Sequence, residues 1–221
     1  MDLENCLDPL LQMKLVIAKP SPYARKARIA LLEKRIPFET VIDLPWNPGT
    51  HAPSFNPLGK IPILVLDDGR VVHDSKVIIE YLETLDLPPR LIPLEPSQRV
   101  AHRQLEATAD GVCDAVVLIV LERSRASALR SSDWIARQLG KVEAGTKALA
   151  DELEERQWFV GSQFGIADIA VGCMLGYLDC RLPEFAWRST YPNLVAFAKS
   201  LLGRPSFAST IPEPQQIAEV R

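Results

Sequence analysis

Residues 14–34 read KLVIAKPSPYARKARIALLEK, and the order of those residues decides the fold. An apolar strand at 15–18 meets a proline-marked turn, Pro20-Ser21-Pro22, and a helix begins at once. Pro22 suits the first helical turn, where a missing N–H costs little and the ring already holds the helical φ. Ser21 then falls at the N-cap or beside it, where backbone N–H groups point outward and the dipole favours negative charge. Arg25, Lys26 and Arg28 add positive charge to the same turns. Two readings follow. Ser21 is an ordinary cap, or its hydroxyl donates to an anion bound at the helix end. This stretch alone favours the cap.

The chain of 221 residues has room for one large domain or two small ones. Its 47% hydrophobic and 24% charged residues describe an ordinary globular protein. A net charge of −3 makes no electrostatic case for nucleic acid or a membrane surface. Cys6, Cys113, Cys173 and Cys180 have neither C-x-x-C nor metal-ligand spacing, so reduced thiols and a cytosolic setting are expected. The longest apolar run, residues 115–121, is far too short to span a bilayer. Residues 1–12, MDLENCLDPLLQ, lack the basic start and apolar core of a secretory signal. They read as an upstream-start extension or a surface appendage ahead of Met13.

Past the first helix, residues 38–43 read as a second strand, and Pro45, Pro48, Gly49 and Pro53 keep 44–55 irregular. Such a loop can carry binding groups, and Trp46 and His51 are its candidates, each equally readable as packing or plain surface. FNPLGKIPILV (55–65), DDG (67–69) and RVVHDSKVIIEYLE (70–83) then give a hairpin and a helix. That helix opens at Asp74-Ser75, with Ser75 as N-cap and an apolar stripe at Val77, Ile78, Tyr81, Leu82 and Leu85. The order β-α-β-loop-β-β-α implies a parallel pair with a crossover and an antiparallel edge. Proline-dense residues 86–97, DLPPRLIPLEPS, contain the linker. Beyond it the signals are helical: 99–123, 132–155, a stripe from Ile166 through Tyr177, and a helix started by Tyr191-Pro192-Asn193 that runs through Leu202 and is stopped by Gly203-Arg204-Pro205.

Ser21-Pro22-Tyr23-Ala24 has the spacing of a redox C-x-x-C with serine and alanine in place of the cysteines. Taken with S-P-x-x-R-K, N-P-L-G-K-I-P and D-S-x-x-I-x-x-Y-L, it makes the chain from Met13 to its end resemble the bacterial glutathione S-transferases. The resemblance implies an α+β thioredoxin-like domain (βαβ-ββα) at 13–86, a linker at 87–97 and an all-α domain at 98–221. It further implies glutathione as co-substrate, a homodimer in the cytoplasm, a role in detoxification, and no metal.

By that resemblance the Ile61–Pro62 bond is cis, which turns the N–H and C=O of Ile61 toward the cysteinyl part of glutathione, beside Lys60. An edge-strand proline is the plainer reading. Asp74 and Ser75 would hold the γ-glutamyl end, where a helix N-terminus is already a carboxylate site. Ser21 would activate the thiol. Lowering a thiol pKa of ~8.5 by about two units takes ~2.7 kcal/mol of thiolate stabilisation. A hydroxyl donor at ~1.5–3 kcal/mol and a helix N-terminus at ~0.3–2 kcal/mol supply that. Tyr23 is the rival donor, because other branches of the family use tyrosine, but it lies two residues along, on the helix and turned from the site.

In GIADIAVG (165–172) the family's capping hydroxyl is replaced by Gly165, which leaves Asp168 as a structural acid. Asp110 and Asp114, in EATADGVCDA, read as solvated carboxylates near the cleft or a dimer contact. The expected activity is attack of the glutathione thiolate on a small electrophile. A non-enzymatic ligand-binding or protein-interaction factor of the same fold, like the stringent-starvation regulators, is the alternative. It has no need of a complete tripeptide site. A cysteine-dependent thiol transferase fails because no cysteine stands at Ser21.

Overall fold

The structure is a computed structural model that describes residues 13–214, so the appendage expected at 1–12 lies outside it. Strand β1 (Met13–Ile17) is buried at every position but Lys14, the burial of a central strand. It pairs in parallel with β2 (Phe38–Ile42), Met13 opposite Phe38 and Ile17 opposite Ile42. Helix α1 (Pro22–Glu33) makes the crossover between them. On its other side β1 pairs antiparallel with β3 (Ile63–Val65), which in turn pairs with β4 (Val71–His73). The sheet order is β2-β1-β3-β4.

The hairpin strands, read from the sequence as 63–66 and 70–73, are each a residue shorter because Leu66 and Arg70 belong to the turn. Leu66 N–H donates to Arg70 O at 2.9 Å, and Gly69 takes a φ of +81° that suits only glycine. Helix α2 (Ser75–Thr84) corrects two readings. Its N-cap is Asp74, whose carboxylate accepts from Lys76 N–H at 2.8 Å, and Ser75 is the first helical residue. Its buried face runs through Ile78, Ile79 and Leu82, whereas Val77 is 52% exposed. Leu82 and Ile78 fit the expected stripe. Ile79 replaces Val77 because the helix is rotated to cover the sheet and α1 together.

The remaining elements are helices: α3 (Pro96–Ser124), α4 (Ser132–Leu153), α5 (Ile166–Arg181), α6 (Trp187–Thr190), α7 (Pro192–Leu202) and α8 (Pro205–Ala208). Helix α3 starts before residue 99 because Glu95 caps it, accepting from Ser97 N–H at 3.0 Å and Gln98 N–H at 2.7 Å. Helix α5 is not a one-striped helix. Ala167, Val171, Gly172, Leu175 and Leu178 are buried along with the predicted stripe, because α1, α3 and α7 pack around it. Among the described residues no helix is long and apolar enough to cross a membrane.

The start of α5 shows how a missing hydroxyl is replaced. A Cβ on Gly165 would lie 2.8 Å from Leu91 O and 2.5 Å from the His102 ring, so serine or threonine has no room. Three other groups take the orphan amides. Leu91 O accepts from Ile166 N–H at 2.9 Å and His102 Nδ1 from Ala167 N–H at 3.2 Å. Asp168 accepts from Gly165 N–H at 2.8 Å and Phe159 N–H at 2.9 Å. Burial pushes the Asp168 carboxyl up to about 6 against those bonds. The structural reading of Asp168 holds.

The basic residues of α1 join the two layers and do not face an anion site. Lys26, fully buried, donates to Glu106 at 2.7 Å and Asp110 at 2.8 Å on α3. Asp110 is therefore a buried partner, not a solvated carboxylate. Arg25 lies buried over the Phe207 ring and donates to Phe207 O and Thr210 Oγ1, each at 3.3 Å. Arg28 reaches Ser209 O at 3.5 Å. Lys34, at the other end of α1, donates to Leu87 O at 2.8 Å and Pro89 O at 3.0 Å and pairs with Glu83. That ammonium fixes the chain leaving α2, where Pro88–Pro89 is cis.

Candidate active site

A cavity of about 320 Å³ opens between the β1–α1 turn, the chain entering β3, the start of α2, and the helical wall of α3 and α5. Ser21, Lys60, Ile61, Pro62, Asp74 and Ser75 all line it. Ser21 meets residues 39 to 54 positions further along the chain here because β1 and β3 are neighbours in the sheet.

Ser21 is the N-cap of α1, with its oxygen accepting from Ala24 N–H at 3.2 Å. That bond uses a lone pair and leaves the hydroxyl proton without an acceptor among the described residues. Pro22 has no N–H, and Arg25 N–H is taken by Ser21 O at 3.0 Å. The Tyr23 amide is thus the donor of the first turn that no described group accepts. A hydroxyl and an amide therefore stand at the positive end of α1, as an anion site needs.

Tyr23 is not turned from the site as expected: its side chain lines the cavity, held there by its hydroxyl, which donates to Asp114 on α3 in a short hydrogen bond. Burial, with Asp114 and Cys113 nearby, holds its phenol far above the usual range. Its proton is committed to a carboxylate, which leaves Ser21 as the better donor. Asp114 sits in the cleft wall, as one of its two readings had it. The thiols among the described residues give no competing nucleophile: burial raises Cys113 and Cys180 and pushes Cys173 up to about 11.

Residues 56–60 form a turn that sets up the approach to Pro62. Asn56 Nδ2 donates to Lys60 O at 2.8 Å, Asn56 Oδ1 accepts from Leu58 N–H at 3.0 Å, and Gly59 has a φ of +58°. The Ile61–Pro62 bond is cis, as expected from the resemblance. The N–H and C=O of Ile61 meet no partner among the described residues, so this edge offers one donor and one acceptor to an extended chain. The Lys60 side chain is exposed at the rim.

Asp74 has φ +48° and ψ 147°, a conformation that costs an L-residue about 1–3 kcal/mol and is characteristic of ligand clamps. It stands at the N-terminus of α2, where it and the buried Ser75 both line the cavity and its carboxylate holds Lys76 N–H. Of the two loop candidates, Trp46 lines the cavity and His51 does not. Sequence reading missed Asn56, Val117, Tyr177 and Arg181 as lining groups. Asn56 was findable as the turn residue of N-P-L-G. The other three lie on helices whose cleft-facing side no local pattern reveals.

Residues 20–85 match the glutathione S-transferase N-terminal domain, and residues 132–200 match the glutathione S-transferase C-terminal domain. The uncharacterized GST-like protein YibF of Escherichia coli is 38% identical over 200 residues, covering 90% of this chain and 98% of its own. A glutathione S-transferase from Methylobacterium radiotolerans, solved with glutathione sulfonate, is 46% identical with a TM-score of 0.91, covering 94% of this chain and 98% of its own. One from Methylobacillus flagellatus, solved with glutathione bound, is 44% identical with a TM-score of 0.88, covering 91% and 100%. The chain belongs to the glutathione S-transferase family.

Proposed function

We propose that the protein is a glutathione transferase that ionises the glutathione thiol at Ser21 and directs the thiolate onto a small apolar electrophile. The observation that carries this reading is the set of groups on one cavity wall: the uncommitted hydroxyl proton of Ser21, the unpaired N–H and C=O of Ile61, and Asp74-Ser75 at the start of α2. A structural protein has no reason to leave such groups unpaired. Relatives solved with glutathione or its sulfonate support the same ligand here.

In this reading the cysteinyl amide and carbonyl pair with Ile61 as an added strand does, on the cis turn ending in Pro62. The γ-glutamyl carboxylate lies on the first amides of α2, with Asp74 taking its amine and Ser75 adding a hydroxyl. Lys60 takes a carboxylate at the rim. The sulfur then reaches Ser21, where the hydroxyl and the Tyr23 amide stabilise the thiolate. The thiol proton leaves to solvent. The sulfur lone pair forms a C–S bond, and either a leaving group departs with the C–X electrons or an activated double bond takes up a proton. Leu44, Pro45, Trp46 and Val117 give the electrophile an apolar berth.

Residues 13–86 would carry the tripeptide and the helices after 98 the second substrate, in a cytoplasmic homodimer with a detoxifying role. Calorimetric titration with glutathione, followed by a panel of electrophiles, tests the reading. Tight binding with turnover supports it, and absence of glutathione binding favours the interaction-factor alternative.

A further inference from the structure

Arg181 is a charge in the wall of the cleft with no anion to meet. It is half-buried in the last turn of α5 and lines the cavity, and its Nε is buried without a hydrogen-bond partner. No carboxylate among the described residues lies within ion-pair distance of it. The acids around it are engaged elsewhere: Asp179 holds Trp187 and Arg188, and Glu184 holds Arg123. Asp114, on the same cavity wall, is exposed and receives the Tyr23 hydroxyl. Arg103 has Glu80 and Glu106 and Arg204 has Glu33; Arg25 and Arg28 also lack a carboxylate, but they donate to Phe207 O, Thr210 Oγ1 and Ser209 O and do not line the cavity, as Arg181 does.

The surroundings make that charge useful. The buried Tyr177 phenol, one turn earlier on α5, lines the same cavity, so its proton can join the guanidinium in donating to one oxyanion. A guanidinium presents a planar fork that matches a carboxylate, and water is partly excluded by Val117 and Tyr177. The positive charge at the C-terminal end of α5 also suits the helix dipole, which explains an arginine there but not its place in a cavity.

We propose that Arg181, with Tyr177, binds an anionic group on the second substrate, so that the preferred electrophiles are apolar or aromatic molecules bearing a carboxylate. This rests on the glutathione transferase reading. The protein takes the neutral body against Trp46 and Val117, the reacting carbon near Ser21, and the carboxylate at Arg181.

The test compares two stable conjugates by calorimetry, S-(para-carboxybenzyl)glutathione and its carboxamide, S-(para-carbamoylbenzyl)glutathione, alongside glutathione itself. The wild type should bind the carboxylate conjugate roughly ten- to a hundred-fold more tightly than the amide. Arg181→Leu should abolish that preference, with the loss confined to the carboxylate conjugate, and Arg181→Lys should restore part of it. Equal binding of the two conjugates by the wild type overturns the proposal and leaves the transferase reading standing. So does a preference that survives in Arg181→Leu. Weakened binding of plain glutathione in Arg181→Leu would assign the guanidinium to the tripeptide's glycine carboxylate, again against the proposal. Failure of all three ligands to bind the wild type overturns both readings.

Discussion

Replacing Lys26 by methionine should unfold the protein more readily by about 3 kcal/mol, because it strands two buried carboxylates. The Lys26 ammonium is 1% exposed and lies 2.7 Å from Glu106 and 2.8 Å from Asp110, the first fully buried and the second nearly so. Breaking a buried pair costs about 3–5 kcal/mol. The lower end applies because Glu106 keeps Arg103 at 2.5 Å and Asp110 keeps Lys76 at 3.3 Å. Urea unfolding at neutral pH measures the loss. Lys26→Met/Asp110→Asn should recover much of it, since a neutral side chain does not need the ammonium. The deficit should also shrink as pH falls. Burial already holds the Asp110 carboxyl above its usual range, with Lys26 opposing the shift. Without Lys26 the folded state takes up that proton more readily, and stability is regained on the acid side. A loss below about 1 kcal/mol, the worth of a surface pair, refutes the argument. So does a double variant no more stable than Lys26→Met.

Three further outcomes follow from the site and its supports. Ser75→Ala should weaken glutathione binding roughly ten- to a hundred-fold in a calorimetric titration, and unchanged affinity counts against the α2 subsite. Tyr23→Phe should leave the ionisation of bound glutathione where it is, at a folding loss of about 1 kcal/mol for the Asp114 bond; a displaced thiol titration would return the activating role to tyrosine. Asp168 has a folded pKa of about 6, above its model-peptide value of 3.8, so its contribution to stability is complete below that value and lost as pH rises through about 6. Wild type should therefore gain on Asp168→Asn by up to about 3 kcal/mol between pH 7 and pH 4 in parallel denaturations, and a gap independent of pH contradicts the assignment.

Elements set by local chemistry were legible. The Ser21-Pro22 cap, the Asp67-Asp68-Gly69 turn and the helix stop at Gly203 each act within a few residues, and each element came out within a residue or two of its reading. What failed depended on partners distant in sequence. Lys26 looked like an anion attractor because its carboxylates lie 80 and 84 residues away. His102 looked like any helix residue, yet it replaces a capping hydroxyl 65 residues on. Helix α5 was read as one stripe although Val171, Leu175 and Leu178 lie off it; that they are buried depends on α1 and α7, which close on it at Gly176 and Gly172 and are distant in sequence. Candidate site residues on turns were nameable from motifs. Tyr177 and Arg181 were not, because facing a cleft is a property of helix rotation in the packed domain.

The central claim is that Ser21 acts on the sulfur and does not merely cap α1. Both roles are open to one side chain, since the cap uses the oxygen and the donor uses the proton. A pH titration of the bound thiol by its ultraviolet thiolate absorbance separates them, run on wild type and Ser21→Ala saturated with glutathione. The account predicts a wild-type thiol ionising at least about a unit below the free value of ~8.5, with Ser21→Ala moving it back up by a unit or more. Identical titrations in the two proteins, with only a stability loss of ~0.5–2 kcal/mol in the variant, would contradict it.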